Sequence, residues 1–361
     1  MKYLIYPYSD SLLSVVETIS FYSKDICITE RVAPVAWKRK IDPDTKVSFD
    51  FKSTIEGVDG VIIADTPENK FMYQDLLKKI FLSLFSHKHV ICCTELQAKD
   101  VEELSSSAQL NGVTFRYIVM STDMERDLGV FQRQDCIVIA VAGMLNDLDP
   151  LASMVNLVYR YRNLGYRVTA VSNNKNTALF DFVPFPWAIL NSDLPHEEII
   201  KKINAFFNEL QFLYQPDIII TEIPNGMIKY SNICVENFGV KAYMLSQALS
   251  VDYFILNSPI DDFSDESFKL MSTTFKYRFG FKIDAVGIVN RYINFSDSNE
   301  EEKVVYEKAK SSEVNKFVDI LNSSPECTIL FFDAQDKSAY ERVIKDSIDT
   351  LANEERLEED G

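Results

Sequence analysis

The chain has 361 residues, of which 47% are hydrophobic, and it carries a formal net charge of −17. This length is typical of about two domains, and the apolar fraction is enough to give each of them a core. The negative charge argues against nucleic acid and against an anionic membrane surface as partners, because both would repel the protein. A basic peptide would instead be attracted to it.

The amino-terminal segment, MKYLIYPYSD, lacks the long apolar core and the small-residue cleavage site of a signal peptide. No apolar run approaches the roughly 20 residues that a transmembrane helix needs. We therefore expect a cytoplasmic protein. The six cysteines show no CxxC spacing and there are only three histidines. The sequence thus predicts reduced, mostly buried thiols, no metal site and no cofactor.

Strand-like and helical segments alternate along the first third of the chain. Apolar runs predict strands at 2–8, 26–31, 46–50, 60–67, 89–95 and 114–119, and helical patterns predict helices at 68–86 and 97–110. Strands that are apolar throughout are typical of a parallel sheet covered on both faces. We predict a doubly wound, Rossmann-like α/β domain over residues 1–120. Its first turn, PYSDSLL, has no glycine, so classical dinucleotide binding is not expected.

Two acidic residues follow strands of this first domain. Asp65 comes after GVIIA, and Glu95 comes after HVICCT. Open α/β sheets bind ligands at such strand ends, so each acid could contact a ligand. The alternative is that each caps the helix that follows it. The segment 121–135 is charged and has little apolar periodicity, and it is predicted to link this domain to the next.

The second domain is predicted over residues 136–345, and it opens with a strand, a short polar loop and a helix. This order is typical of a phosphate-binding loop, GxxxxGK[ST]. Counting from Gly143, however, the positions of the second glycine, the lysine and the hydroxyl residue hold Leu148, Asp149 and Pro150. A carboxylate would repel the phosphates that the lysine attracts. We therefore predict a degenerate P-loop-like α/β domain in which nucleotide hydrolysis is doubtful.

Two interpretations of the loop before this helix remain open. Asp149 and Pro150 fit the N-cap and first helical position, where a carboxylate accepts backbone N–H groups and proline lacks a donor that is not needed. Alternatively, Asn146, Asp147 and Asp149 together hold a cation or a peptide amine.

The rest of the second domain repeats the same alternation. Strands are predicted at 165–173, 216–224, 251–259, 284–293 and 327–333, and helices include 194–214 and 264–279. These strands would form a second doubly wound parallel sheet of five or six strands. An acidic tail over 346–361 is predicted to follow, with its last ten or so residues forming a frayed helix end without a fixed structure.

The residues that end these strands are predicted to form one ligand-binding rim, because parallel strands share a carboxyl edge. The candidate ligand-binding residues are Gly143, Asn146, Asp147, Asp149, Ser172, Asn173, Glu222, Asn225, Gly226, Asn257 and Ser258. Glu222 is the foremost of them, since phosphate-loop enzymes place a magnesium-coordinating acid here. It either lines a functional pocket or hydrogen-bonds a neighbouring loop or helix end. No catalytic residue is assigned.

Several segments occur together in an order and spacing that resemble a known family. They are GYRVTAVSN, PDIIITEIPNGMI, NFGVKAYMLSQALSVDYFILNS and FKYRFGFKIDAVGIVNR, with a looser likeness in the YPY start and the VICCTE strand. The family is that of the peptide maturation system proteins, found chiefly in clostridia beside radical S-adenosylmethionine enzymes and bacteriocin-like precursor peptides. The second domain also resembles the dethiobiotin synthetase and nitrogenase iron protein branch of P-loop folds, with Gly143 and Glu222 at matching positions and Leu148, Asp149 and Pro150 departing from the pattern.

This resemblance implies a role in making ribosomal peptide natural products. The first hypothesis is an accessory protein that binds a precursor peptide or the radical S-adenosylmethionine maturase without hydrolysing nucleotide. The second is an ATP-dependent ligase or kinase-like enzyme that acts on the peptide through a divergent phosphate loop. A scaffold without any ligand is a third hypothesis. A homodimer is left open.

Overall fold

The structure is a computed structural model that describes residues 1–9, 12–23, 25–39, 41, 43, 45–118, 131–148, 150–324 and 328–359. The chain divides into two compact units. The first comprises Met1–Ser121 and Asn174–Pro184, and the second comprises Thr122–Asn173 and Phe185–Gly361. Asp149 and residues 121–130 of the predicted linker lie outside the described residues.

The strands are β1 (Lys2–Tyr6), β2 (Cys27–Arg31), β3 (Gly60–Ile63), β4 (His89–Cys92), β5 (Phe115–Tyr117), β6 (Ile137–Gly143), β7 (Val168–Ser172), β8 (Val183–Pro184), β9 (Ile218–Ile223), β10 (Tyr253–Ile260), β11 (Ala285–Ile293), β12 (Tyr306–Lys308) and β13 (Leu330–Asp333). The α-helices are α1 (Leu13–Tyr22), α2 (Phe51–Thr54), α3 (Tyr73–Phe85), α4 (Ala98–Leu110), α5 (Leu151–Asn163), α6 (Trp187–Leu190), α7 (His196–Tyr214), α8 (Val240–Ala248), α9 (Asp265–Phe279), α10 (Phe295–Glu301), α11 (Ser311–Asn322) and α12 (Tyr340–Glu359).

The first unit contains a parallel sheet in the order β2-β1-β3-β4-β5. This is the 2-1-3-4-5 order of the flavodoxin-type doubly wound sheet. Both faces of the central strands are buried, which explains their continuous apolar sequences. The core on one face brings Leu4, Val61 and Val90 together with Leu76 and Ile80 of α3.

One predicted strand of the first unit does not form. Within residues 46–50, Ser48 makes only an isolated parallel bridge to Val32. The Asp50 carboxylate accepts hydrogen bonds from the backbone N–H groups of Lys52 and Ser53, so it caps α2. A helix N-cap thus occupies the end of the apolar run that resembled a strand.

The second unit contains a larger sheet in which the order β12-β11-β10-β6-β9-β7 places β6 near the centre, and β13 pairs with β11. Apart from the β11–β12 pair, which is antiparallel, these pairings are parallel. The predicted fold class, α/β with two doubly wound and mainly parallel sheets, is therefore confirmed. The short antiparallel strand β12 was not predicted.

Helix α5 covers β7 and β9 with the apolar face that its sequence predicted. Met154, Val158 and Tyr161 are all at most 4% exposed. Pro150 occupies the N-cap position of this helix and not its first turn. At the other end of the unit, α12 runs from Tyr340 to Glu359, so the predicted acidic segment begins within this helix.

The described cysteines are free thiols. Cys92, Cys93 and Cys234 are buried as predicted, whereas Cys136 is half-buried and Cys27 is exposed. Burial raises the pKa of the Cys136 thiol to about 11. Among the described residues, no helix combines the length and the apolar character that crossing a membrane requires.

Candidate functional site

The loop after β6 folds back onto the end of its own strand. A Cβ atom at Gly143 would lie 2.7 Å from the carbonyl oxygen of Leu148 and 2.8 Å from that of Leu145. Met144, Leu145 and Leu148 are at most 3% exposed. A phosphate cradle needs backbone N–H groups around open space. Here the loop's own apolar side chains are buried, and its backbone closes over the glycine.

Backbone hydrogen bonds attach the start of this loop to two neighbouring segments. The Met144 N–H donates to the carbonyl oxygen of Asn257 at 2.8 Å, and the Met144 carbonyl oxygen accepts from the Met227 N–H at 3.0 Å. Asn257 ends the β10 register beside Gly143. The carboxyl ends of β6 and β10 and the turn after β9 are therefore joined directly.

Asn146 connects the loop to the PNG turn that follows β9. Its side-chain oxygen accepts a hydrogen bond from the Gly226 N–H at 2.8 Å and lies 3.4 Å from the amide nitrogen of Asn225. Asn225 has φ +65°, a conformation that asparagine tolerates better than most residues. The Tyr306 hydroxyl donates to the Asn146 carbonyl oxygen at 2.7 Å. The predicted site residues Asn146, Asn225 and Gly226 thus form one hydrogen-bonded cluster.

Asp147 contributes its backbone to the loop's attachment. It adopts φ +62°, and its carbonyl oxygen accepts a hydrogen bond from the Arg291 guanidinium at 2.8 Å. Arg291 also lies over the Tyr306 ring, 5.5 Å from its centroid. The sequence marked neither as a site residue: Arg291 lies within a predicted strand, and Tyr306 lies in the unpredicted strand β12.

Glu222 bonds to the end of the adjacent strand β7. Its Oε2 atom accepts hydrogen bonds from the Ser172 hydroxyl at 2.7 Å and from the Asn173 N–H at 2.9 Å. The pairing of Val171 with Thr221 makes these residues neighbours in the sheet. Of the two roles predicted for Glu222, this is the hydrogen bond to a neighbouring loop; a part in ligand binding stays a prediction.

Asn257 and Ser258 lie inside the core of the second unit. Asn257 is 1% exposed and Ser258 is 0% exposed. The Asn257 side-chain oxygen accepts from the Ser153 hydroxyl at 3.2 Å, and the Ser258 hydroxyl donates to the Pro259 carbonyl oxygen at 3.1 Å. Buried polar groups need such partners. In this structure these two side chains stabilise the strand end and are not accessible to solvent.

The described residues of the predicted rim take part in a hydrogen-bonded cluster around Asn146, a second around Glu222 and a buried pair at the end of β10. Asp149, which the sequence offered as a cap or as a ligand, is not among the described residues. In the part of the chain that is described, no group of three or more His, Cys, Asp or Glu side chains is placed to hold a metal ion.

In the first unit, Asp65 lies at the carboxyl end of β3. Its Oδ1 atom accepts from the Thr94 hydroxyl at 2.8 Å, and its backbone N–H donates to the Asn176 side chain at 2.7 Å. Burial raises the pKa of the Asp65 carboxyl, and the nearby Lys175 and the Thr94 hydrogen bond oppose this shift. Glu95 forms an ion pair with Lys175 at 2.7 Å.

The expectation that Asp65 and Glu95 cap the following helices is wrong. The helical turn after Asp65 has Glu68 at its N-cap position, and α4 has Gln97. Both acids instead contact the segment 174–184, which leaves the second unit after Asn173 and groups with the first. The sequence patterns did not predict this grouping.

A cavity of about 400 Å³ lies within the first unit, near the carboxyl ends of β1 and β2. Its walls are Tyr6, Ala33, Pro34, Val35, Ala36, Trp37, Phe49, Phe51, Met72, Asp75 and Lys79. Aromatic and other apolar groups predominate, and Asp75 and Lys79 are the charged residues among them. The sequence offered only a weak signal for this cavity, which was the density of aromatic residues between Trp37 and Phe51.

No protein-family model and no curated protein matches this chain. Among solved structures, it is similar to a DUF1611 family protein from Anabaena variabilis, with 9% identity, a TM-score of 0.57, and 98% of this chain and 99% of that chain covered. This similarity concerns the fold alone.

Two further structures match at TM-scores too low to define a shared fold. Chloroplast FtsY from Physcomitrella patens matches with 10% identity over 77% of this chain and 78% of that chain, at a TM-score of 0.29. A GTPase from Pyrococcus abyssi matches with 14% identity over 59% of this chain and 97% of that chain, at a TM-score of 0.30. The similarity to the DUF1611 family protein supports an α/β fold that extends over nearly all of the chain.

Proposed function

We propose that the protein is a binding protein of peptide natural-product maturation that holds a precursor peptide or its radical S-adenosylmethionine maturase without hydrolysing nucleotide. The observation that carries the second half of this proposal is the closed loop after β6. Leu148, at the position of the second loop glycine, is 3% exposed, and its carbonyl oxygen would lie 2.7 Å from a Cβ atom at Gly143. Triphosphate binding would require this packing to open.

The charge of the protein supports a basic partner. With a formal net charge of −17, it would attract a basic leader peptide and increase the rate of encounter. Attraction of this kind weakens as salt screens the charges. The peptide role itself derives from the sequence resemblance, and the fold is compatible with it.

The direct test is co-purification of the full-length chain with the precursor peptide and the radical enzyme of the same gene cluster, followed by mass spectrometry. We expect capture of one of the two, with weaker capture at higher salt. Absence of binding at about tens of micromolar, a weak affinity for a functional complex, would contradict the proposal. A maturation assay of Glu222→Ala then tests whether the Glu222 cluster takes part in function. A scaffold without any ligand predicts that maturation stays unchanged in this variant.

Nucleotide binding provides the discriminating control. A ligand present at about 100 times its Kd stabilises a protein by about 2.7 kcal/mol. The closed loop predicts no change in the melting temperature with millimolar Mg-ATP. A clear upward shift would instead support the ATP-dependent ligase or kinase-like enzyme.

A further inference from the structure

The cavity in the first unit has the size and the wall of a small-molecule site. Its volume of about 400 Å³ falls within the range of about 300–1,000 Å³ that is common for ligand pockets. Trp37 is 8% exposed and Phe51 is 3% exposed, so two of its rings are held firmly by the core. Tyr6 and Phe51 meet edge to face, with ring centroids 5.1 Å apart. Such a wall suits a flat or bulky apolar group.

Asp75 supplies an acceptor at this wall. The Tyr6 hydroxyl donates to its Oδ2 atom at 2.5 Å, and burial together with this hydrogen bond raises the pKa of Tyr6 well above its usual value. The phenol is protonated at neutral pH, as tyrosine ordinarily is, and its hydrogen bond keeps Asp75 oriented. Within the described residues, the Oδ1 atom of Asp75 has no further hydrogen-bond donor, so it can accept from a ligand.

Lys79 supplies a cation one helical turn away from Asp75. Its ammonium lies 5.0 Å from the centroid of the Phe51 ring and 5.9 Å from that of the Tyr6 ring. Among the residues that the structure describes, it donates no hydrogen bond and forms no ion pair. Asp50 is close enough for Lys79 to contribute to its lowered pKa, but hydrogen bonds from Ser53 are the larger cause.

The two charges define what the cavity can accept. A ligand with only a positive charge would be repelled by Lys79, and a ligand with only a negative charge would be repelled by Asp75. A zwitterion satisfies both, because its ammonium can donate to Asp75 and its carboxylate can accept from Lys79. Residues four apart on a helix have Cβ atoms about 5–6 Å apart, a separation that the two ends of one α-amino acid can span.

We propose that the first unit binds a free α-amino acid with a large apolar or aromatic side chain, with the side chain against the apolar wall of the cavity and the charged ends on Asp75 and Lys79. This site is separate from the loop after β6, and it does not rest on the function proposed above. A failure of either leaves the other unaffected.

The fluorescence of Trp37 can report binding of L-phenylalanine to the full-length protein. The chain has two tryptophans, so a Trp187→Phe background leaves Trp37 as the only one. We expect a saturable change in its emission. Phenylalaninamide lacks the carboxylate and imitates an amino-terminal residue. N-acetylphenylalanine lacks the ammonium and imitates a carboxyl-terminal residue. Each should bind at least about tenfold more weakly than phenylalanine.

Three substitutions in that background locate the site. Asp75→Asn and Lys79→Met should each weaken phenylalanine binding about tenfold while retaining the shape of the side chain. Lys78→Met is the matched control, because Lys78 is exposed on the same helix and does not line the cavity, and it should leave the affinity unchanged. Absence of saturation up to about 10 mM, which is weaker than any specific site of this size should be, would overturn the proposal. An affinity for the amide or for the N-acetyl derivative equal to that for phenylalanine would also overturn it, and this measurement requires no variant.

Discussion

The carboxyl ends of β6 and of β1 are equivalent places in two mainly parallel sheets, but the described residues around them are arranged differently. The loop after β6 buries Met144, Leu145 and Leu148 against its own strand. Near the end of β1, Tyr6 instead borders a cavity of about 400 Å³. Open α/β sheets bind ligands at this edge. Position in the sheet therefore marks a candidate site, whereas the side chains of the loop decide whether any space remains.

The largest expected effect on stability comes from truncating a buried side chain in the loop after β6. Leu148 is 3% exposed, so Leu148→Ala removes a buried side chain and leaves a cavity. We expect the free energy of unfolding to fall by about 2–5 kcal/mol. Leu270→Ala is the matched control, because Leu270 is 70% exposed on α9 of the same unit and should change stability by less than about 0.5 kcal/mol. Urea unfolding of the two variants makes the comparison, and equal values would show that the loop is not packed.

A smaller effect is expected from adding one carbon atom at the strand end. In Gly143→Ala the new Cβ atom would meet two backbone carbonyl oxygens, at 2.7 and 2.8 Å, which can move only with the loop. We expect a loss of about 1–3 kcal/mol. Gly57→Ala in the first unit is the control, because nothing lies within 4 Å of its added Cβ atom. If both variants unfolded at the same urea concentration, the close approach at Gly143 would be refuted.

Glu222→Ala should have a weaker effect on stability. It removes the acceptor of the Ser172 hydroxyl and of the Asn173 N–H. Because Glu222 is only half-buried, water can replace part of what is lost, and we expect about 1 kcal/mol. Glu300→Ala, at an exposed position on α10, should be neutral. Thermal unfolding of both variants measures the difference, and a neutral Glu222→Ala would indicate that its hydrogen bonds contribute nothing net.

Local sequence patterns predicted most of the elements, because apolar runs and the residues that end them are properties of neighbouring positions. The order strand, loop and helix around Gly143 is an example, and so is the placement of Glu222 at a strand end. The partners of those residues were not predictable in the same way. Tyr306 contacts Asn146 across 160 positions, and the spacing of residues along the chain does not encode such a pairing.

The cavity of the first unit shows a second limit. Periodicity assigns Tyr6 to a strand and Lys79 to a helix, but it does not say that their side chains enclose space with Trp37. Whether packed elements leave a void depends on the shapes of side chains that are far apart in sequence. For the same reason, the sequence predicted that the loop after β6 lacks the phosphate-binding lysine, but it did not predict that Leu148 fills the loop.

The smallest predicted effect is the pH dependence that Asp65, at the end of β3, gives to stability. Burial raises the pKa of Asp65 in the folded state above its unfolded value of about 4. The folded protein therefore binds this proton more readily than the unfolded chain, so the contribution of Asp65 to stability increases as the pH falls through its folded pKa and is lost as the pH rises. Asp65→Asn removes this titration and leaves that of the other groups. We expect the melting temperature of the wild type, relative to that of this variant, to rise as the pH is lowered from about 7 to about 4.5. A difference that stays constant, or that falls over this range, would mean that the Thr94 hydrogen bond and Lys175 outweigh the burial of Asp65.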